Sequence, residues 1–220
     1  MIALLSGCIG AVNGGSDAPP PWADEVREAP GADGNAFHDP SLAANGARGA
    51  GCCAGGVDVF SIADHLELGW RGRRVVDGPG PDLVVFENAF QIDDARRFMD
   101  PCVVSVSADG VAWEAFPHDF QGDPADPTRP EDWTGFAGIT PTLLHVEDNP
   151  VDAFDAAVAG GDAFDLWDLP DGPVRDLALA EGIVGVRILS AEAEFPRDPA
   201  ATGPDIDAVY AREWVELGGA

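Results

Sequence analysis

The chain has 220 residues, of which 45% are hydrophobic, and this is enough for one domain of ordinary size with a real core. Its 27 glycines and 19 prolines predict many turns, as in an all-β domain rather than a helical bundle. The net charge of −27 argues against binding to nucleic acid or to an anionic membrane, because phosphate recognition needs a basic surface. It is compatible with divalent cations, with a high-salt setting, or with the solubility of an exported protein.

The first eight residues end in Leu5-Ser6-Gly7-Cys8, which looks like a bacterial lipobox. After export, the thiol of Cys8 would then carry a diacylglycerol anchor. A basic segment is missing before the apolar residues, and only six residues precede Gly7. Either the true start lies upstream or the match is chance; the low-complexity sequence that follows favours the first. Residues 1–8 are thus predicted to be the remnant of a lipoprotein signal.

Residues 9–55 are rich in Gly, Pro, Ala, Asp and Asn, and they include Pro19-Pro20-Pro21. This composition predicts a flexible, disordered linker that tethers the following domain to a membrane. No stretch of the chain reaches the roughly 18 apolar residues of a spanning helix. Residues 56–216 are predicted to form the folded domain.

Three further cysteines are Cys52, Cys53 and Cys102. An exported protein would pair two of them, and a bridge from Cys52 or Cys53 to Cys102 is one interpretation; the other is that the adjacent pair are small buried thiols. A zinc site is not indicated, since there is no CxxC pattern and the histidines lack ligand spacing. The histidines are therefore predicted to be surface or strand residues: His38, His65, His118 and His145.

Alternating or continuous apolar runs predict a series of short strands. The strands are expected at residues 57–62, 65–70, 83–86, 103–107, 111–116, 183–189 and 207–211. Asp109-Gly110 supplies the turn of a hairpin, and Trp113 in its second arm is predicted to face the core. Residues 152–158 and 178–181 are the segments with helical character, a turn or two each.

A Gly/Pro turn stands before the strand at residues 83–86 and is bracketed by Asp77 and Asp82, while Glu87 and Asn88 close the strand. The glycines and prolines should make this turn stiff. Hard cations such as Ca²⁺ prefer rigid sites rich in carboxylate oxygens. A solvated acidic turn before a core strand is the alternative interpretation.

The turn and strand together resemble the DGPGxD–VFEN signature of a family of bacterial cell-surface proteins and lipoproteins. Three more segments match in the expected order: residues 103–113 are similar to a hairpin of discoidin-like, galactose-binding-type β-sandwiches, 159–166 to a GGDAFDL element, and 205–209 to a closing strand. The matches extend over residues 57–214. This resemblance implies a jelly-roll or discoidin-like β-sandwich at the surface or outer membrane of a bacterium.

Strands distant in sequence are adjacent in a jelly roll, so carboxylates of the separate motifs are predicted to converge on one Ca²⁺. The predicted ligands are Asp77, Asp82, Glu87, Asp162, Asp165 and Asp207. Mg²⁺ is a poorer candidate because it retains its waters and seldom uses an all-protein cage. In the alternative, these side chains cap separate turns through local hydrogen bonds.

The predicted function is that of a non-catalytic binding or adhesion module, Ca²⁺-stabilised, for a glycan or a surface protein. The chain lacks a phosphate-binding loop and a Gly-x-Ser-x-Gly elbow. Candidate ligand-binding aromatics are Trp133, Phe136 and Trp167; exposure would favour binding, and burial of all three would favour a purely structural envelope lipoprotein. A glycan-active hydrolase with paired carboxylates is the least favoured alternative. Neither nucleic acid nor a membrane contact beyond the lipid anchor is expected.

Overall fold

A computed structural model describes residues 19–50, 56–194 and 203–218. Within these ranges the chain forms many short strands and two short α-helices. The strands are β1 Glu25–Glu28, β2 Phe60–Ser61, β3 His65–Gly69, β4 Arg73–Val75, β5 Leu83–Glu87, β6 Phe90–Gln91, β7 Arg97–Phe98, β8 Cys102–Ser107, β9 Glu114–Ala115, β10 Asp119–Phe120, β11 Trp133–Thr134, β12 Asp162–Phe164, β13 Gly185–Ser190, β14 Asp205–Ala211 and β15 Trp214–Glu216. The helices are α1 Ala156–Ala159 and α2 Pro173–Glu181, with 3₁₀ turns at Ala36–His38, Pro40–Ala44, Pro130–Asp132, Leu166–Asp168 and Ala191–Ala193.

Two antiparallel sheets dominate the fold. The larger has the strand order β1-β3-β13-β8-β9, and the smaller has the order β12-β5-β14-β2. Three further two-stranded pairs join β10 to β11, β15 to β4, and β6 to β7. The chain is therefore all-β, as its glycine and proline content predicted.

The main core lies where side chains from both sheets meet. Leu68 and Val186 of the larger sheet belong to the same buried cluster as Val85 and Val209 of the smaller sheet. Since neighbouring residues of a strand point to opposite faces, one face of each sheet supplies this cluster. The arrangement is sandwich-like.

Strand β5 is buried on both faces. Leu83 and Val85 pack in the main core, whereas Val84 and Phe86 pack in a second cluster with Tyr210. A strand covered on both faces has a continuous apolar sequence instead of an alternating one. The prediction of a central strand at residues 83–86 is confirmed for this reason.

Residues 19–50 are part of the folded domain, which corrects their assignment to a flexible linker. Strand β1 pairs with β3, and Ala23 and Ala43 are fully buried in the main core. The Trp22 ring lies 5.7 Å from that of Tyr210. Small alanines approach the sheets closely without the large apolar residues that mark a core in sequence, so composition concealed this packing. Residues 9–18 and 51–55 of the predicted linker lie outside the described residues.

The hairpin after β8 forms as predicted, but Trp113 does not face the core. The Asp109 carboxylate accepts the N–H groups of Val111 and Ala112, which shapes the turn. Trp113 precedes the two-residue strand β9 at the sheet edge, is half-buried, and lies under the guanidinium of Arg187 at 4.2 Å. Arg187 alternates with the core residues Val186 and Ile188, so its partner Trp113 lies on the opposite, outer face of the larger sheet.

The predicted helical segments form in part. Helix α1 is shorter than the predicted segment 152–158, and α2 begins at Pro173 and so is longer than predicted. Among the described residues, no helix combines the length and apolarity that crossing a membrane requires.

Candidate functional site

The Gly/Pro turn before β5 meets the segment that follows β12. Strand β12 pairs with β5, with Phe164 opposite Leu83, and the Asp82 N–H donates to the Phe164 carbonyl at 2.9 Å. This register brings carboxylate oxygens of Asp77, Asp82 and Asp165 within 4.8 Å of one another. We call these three residues the carboxylate trio.

Asp82 is the buried member of the trio. One of its oxygens accepts the N–H of Gly78, and the other accepts the N–H of Leu166, both at 2.9 Å. Burial raises the pKa of Asp82 to about 6; the charges of Asp165 and Asp77 add to the rise, while the two backbone N–H bonds oppose it. The side chain thus ties the two motifs together and feels the repulsion of its neighbours.

The other two members are open to solvent to different degrees. Asp165 is half-buried and caps the 3₁₀ turn Leu166–Asp168 by accepting the N–H of Trp167 at 2.9 Å, and Asp77 is exposed. Three carboxylates with one side open to water suit a hard cation, which takes oxygen ligands and completes its shell with carbonyls or water. The trio therefore has the donor atoms that a metal ion needs, with no feature specific to Ca²⁺.

The other three predicted metal ligands do not join the trio, so the prediction of one six-carboxylate site is wrong. Glu87 stands at the opposite end of β5 from Asp82, a separation of roughly 16 Å at the usual rise of a strand. Asp162 pairs with Val85 in mid-strand, and Asp207 lies on β14, beyond β5 from β12. Side chains of adjacent strands do not meet when they lie at different positions along the strands or on opposite faces of the sheet.

Each of these three carboxyl groups instead anchors backbone. Asp162 accepts the backbone N–H groups of Ile139 and Thr140, at 2.9 and 3.2 Å. Both oxygens of Asp207 lie within 3.0 Å of the backbone nitrogen of Arg48, which donates to them. Burial raises the pKa of Asp162 to about 6 and that of Asp207 to about 8.

Glu87 is the most isolated carboxyl group of the set. One of its oxygens accepts the N–H of Asp205 at 3.2 Å, and the other is buried without a hydrogen bond among the described residues. Burial, and next the charge of Asp100, raises the pKa of Glu87 well above its ordinary value. Glu87, Asp162 and Asp207 are thus held separately, but their backbone partners lie 22 to 159 positions away in the sequence, so the alternative of local turn caps does not describe them either.

A pocket of about 520 Å³ opens beside the trio. Its walls combine aromatic rings with carboxylates: Phe116, Trp133, Phe136, Asp162, Asp165 and Asp168. Asp165 belongs to both the trio and the pocket. Sequence reasoning missed Phe116, which it placed only at the end of the predicted strand 111–116, and Asp168, for which no signal exists.

Two of the three predicted ligand-binding aromatics line this pocket but are almost fully buried. Trp133 is 5% exposed and Phe136 is 3% exposed, and their rings meet edge to face at 5.1 Å. Trp167 is 63% exposed, lies under Arg175 at 4.7 Å, and is not among the pocket's lining residues. The aromatics are therefore neither all exposed nor all buried.

Of the predicted cysteine sites, only Cys102 lies in the described part of the chain. It is buried in β8, and its thiol donates to the Asp100 carbonyl at 3.3 Å. Cys8, Cys52 and Cys53 lie outside the described residues, so lipidation and the disulfide pairing stay predictions.

No family model matches the chain, and no curated protein matches it. The resemblance to the cell-surface family stays a prediction that depends on the motifs themselves.

Proposed function

We propose that the chain is a non-catalytic cell-surface binding module, a discoidin-like jelly-roll sandwich that takes a glycan into the pocket and is stabilised by Ca²⁺ at the carboxylate trio. The observation that carries this proposal is the double role of Asp165, which contributes to both the trio and the pocket. A cation held by Asp165 would fix one wall of the pocket, so metal binding and ligand binding would be coupled.

The pocket has the chemistry that a sugar needs. Its volume of about 520 Å³ falls in the usual range for small-ligand sites, roughly 300–1,000 Å³. Asp165 and Asp168 can accept hydrogen bonds from the hydroxyl groups of a sugar. Phe116, Trp133 and Phe136 add apolar lining, but each is at most 5% exposed, so they present little of a ring face to a ligand.

The trio would hold Ca²⁺ through Asp77, Asp82 and Asp165. The ion would supply positive charge where three carboxylates repel one another. Burial is the main cause of the raised pKa of Asp82, and the charges of Asp165 and Asp77 add to the rise. Asp82 would keep its bonds to Gly78 and Leu166, so the metal would stiffen an arrangement that the backbone already sets.

We prefer a binding role to a glycan hydrolase because the sandwich modules that the motifs resemble are non-catalytic. The backbone N–H groups of Ile139 and Thr140 both donate to Oδ2 of Asp162, so this carboxyl group fixes a loop through one oxygen. The structural lipoprotein alternative is favoured by the burial of Trp133 and Phe136 in a hydrophobic cluster.

A glycan array with the full chain tests the proposal, run with CaCl₂ and with EDTA. We expect specific spots in Ca²⁺ that disappear in EDTA and with Asp165→Asn. The control Asp171→Asn replaces an almost fully exposed carboxylate that is paired with Arg175, and it should retain binding. Absence of any bound glycan, combined with a Ca²⁺-dependent rise in Tm, would leave the structural alternative.

The location is a proposal of its own: Cys8 carries the lipid anchor that places the module on the bacterial surface. Metabolic labelling with a radioactive fatty acid should mark the protein, and Cys8→Ser should abolish the label. Equal labelling of both proteins would contradict the anchor at this position.

A further inference from the structure

A second group of potential metal ligands lies on the larger sheet, away from the trio. Glu28 of β1 is paired opposite Glu67 of β3, and a register shift between Val26 and Glu28 marks a bulge there. His65 lies two residues before Glu67 and therefore on the same face of the strand. The His65 Nε2 atom is 3.7 Å from a Glu28 oxygen and 3.8 Å from a Glu67 oxygen.

The two ring nitrogens of His65 have different surroundings. Nδ1 lies 3.3 Å from the Asp64 carboxylate, whereas Nε2 is buried and has no hydrogen-bond partner in the described part of the chain. An Nδ1–H that donates to a carboxylate leaves the Nε2 lone pair pointing at two further carboxylates. Metal-bound histidines have this second-shell arrangement, in which a carboxylate sets the tautomer.

We propose that Glu28, His65 and Glu67 bind a divalent transition metal of the zinc type. Ligand atoms at about 2.0–2.2 Å from such an ion are separated by about 3.4 Å in a tetrahedron and by at most about 4.3 Å across the ion. The separations of 3.7 and 3.8 Å fall within this interval. They exceed the roughly 2.7–3.2 Å of a good hydrogen bond, so neither carboxylate is directly bonded to Nε2.

The local charge also matches a divalent ion. Glu28, Asp64 and Glu67 contribute three negative charges around the imidazole. Arg187 contributes one positive charge, and its Nε and Nη2 both donate to Oε1 of Glu67, the oxygen that lies 3.8 Å from His65, which leaves Oε2 of Glu67 as the freer ligand atom. A neutral His65 with a doubly charged ion balances the remaining two charges, whereas a protonated His65 balances only one.

The site is open on one side, because the Glu28 side chain is 56% exposed while that of Glu67 is only 10% exposed. An ion can therefore enter from solvent, and water would complete the fourth position, as in zinc sites with three protein ligands. Because this site includes an imidazole nitrogen, it should prefer a zinc-type metal, whereas the all-oxygen trio should prefer a hard cation such as Ca²⁺.

Cobalt(II), a spectroscopic probe for zinc sites, tests the proposal on the full chain. We expect visible absorption typical of four- or five-coordinate cobalt, competed away by zinc but not by calcium. His65→Gln should abolish the band, and Glu28→Gln should weaken binding at least about tenfold. Because Glu28 is exposed, its variant should keep the fold, as thermal unfolding would verify.

His145→Gln is the matched control, since its Nε2 lies 3.6 Å from the carboxylate of Asp148 and pairs with no second one in the described part of the chain. It should leave the band unchanged. Thiolate ligation would add intense near-ultraviolet absorption, so repeating the titration with Cys8, Cys52 and Cys53 replaced by serine removes that contribution. An unchanged spectrum in His65→Gln, or a wild type that binds neither metal, would overturn the proposal.

Discussion

At the residue scale, the buried carboxyl groups make stability depend on pH in an unusual direction. Burial raises the pKa values of Asp82, Glu87, Asp162 and Asp207. The folded chain therefore holds these protons more tightly than the unfolded chain does. Where the native state binds more protons, the free energy of unfolding falls as pH rises.

Asp207→Asn should flatten this dependence. The pKa of Asp207 is 3.8 in the ordinary state and about 8 in the fold, so its penalty is absent below pH 4 and grows up to about pH 8. Each pKa unit corresponds to about 1.4 kcal/mol. Urea unfolding at several pH values should show a shallower decline for the variant. Asp148→Asn, an exposed control, should follow the wild type; a variant with the wild-type slope would contradict the shift.

Gly160, in the GGDAFDL segment, combines a positive φ with a close approach to neighbouring backbone, and an alanine substitution measures their joint cost. Its φ is +69°, and a Cβ there would lie 1.9 Å from the Pro141 carbonyl oxygen; Gly72 has the same φ with nothing within 4 Å. Gly72→Ala should cost about 1 kcal/mol for the left-handed angle alone. Gly160→Ala should cost clearly more, because its ψ of −151° at this φ is nearly confined to glycine and because the Pro141 carbonyl must move. Equal losses in chemical unfolding would show that neither feature matters.

At the element scale, the sequence predicted those strands whose buried residues form a local alternating or continuous apolar pattern. Strands β3, β5, β8, β13 and β14 were found this way. Strand β1 was not, because EVRE has one apolar residue and its edge pairing depends on β3. The proximity of Asp82 and Asp165 was predicted correctly, because their motifs belong to adjacent strands. The positions of Glu87 and Asp207 were predicted wrongly, because strand register and the face a side chain occupies are set by tertiary packing.

His65 illustrates a site that a linear pattern conceals. The spacing of His65 and Glu67 places them on one face of β3, which is readable from sequence. Glu28 is contributed by a segment that composition assigned to a linker, and the bulge that aligns it has no sequence signal here. Ligands from paired strands become visible only when the pairing is known.

The segment before β2 offers a direct test at this scale. Ala43 is fully buried in the main core, whereas Ala50 is exposed. Ala43→Asp should lower the free energy of unfolding by at least about 3 kcal/mol, since it introduces an unpaired buried charge. Ala50→Asp should be nearly neutral. If both substitutions were tolerated equally in thermal unfolding, residues 19–50 would not contribute to the core.

At the scale of the whole molecule, 39 acidic residues against 12 basic ones leave most carboxylates without a cationic partner. Surface ion pairs contribute little individually, typically up to about 1 kcal/mol. Repulsion among the excess carboxylates opposes the compact state and extends over about 10 Å at 0.1 M salt. Net repulsion should therefore outweigh the exposed pairs in the response to ionic strength.

We expect the Tm to rise steadily as KCl is added at neutral pH, because the salt screens more repulsion than attraction. For a domain of this size each kcal/mol regained raises the Tm by about 2–4 °C. EDTA is included throughout, so that trace divalent ions cannot bind to the trio or to His65. Near pH 4.1, the isoelectric point, the charges balance and the same titration should have little effect. A Tm that falls with KCl at neutral pH would mean that specific ion pairs, such as Arg187 with Glu67, stabilise the fold more than the excess charge destabilises it.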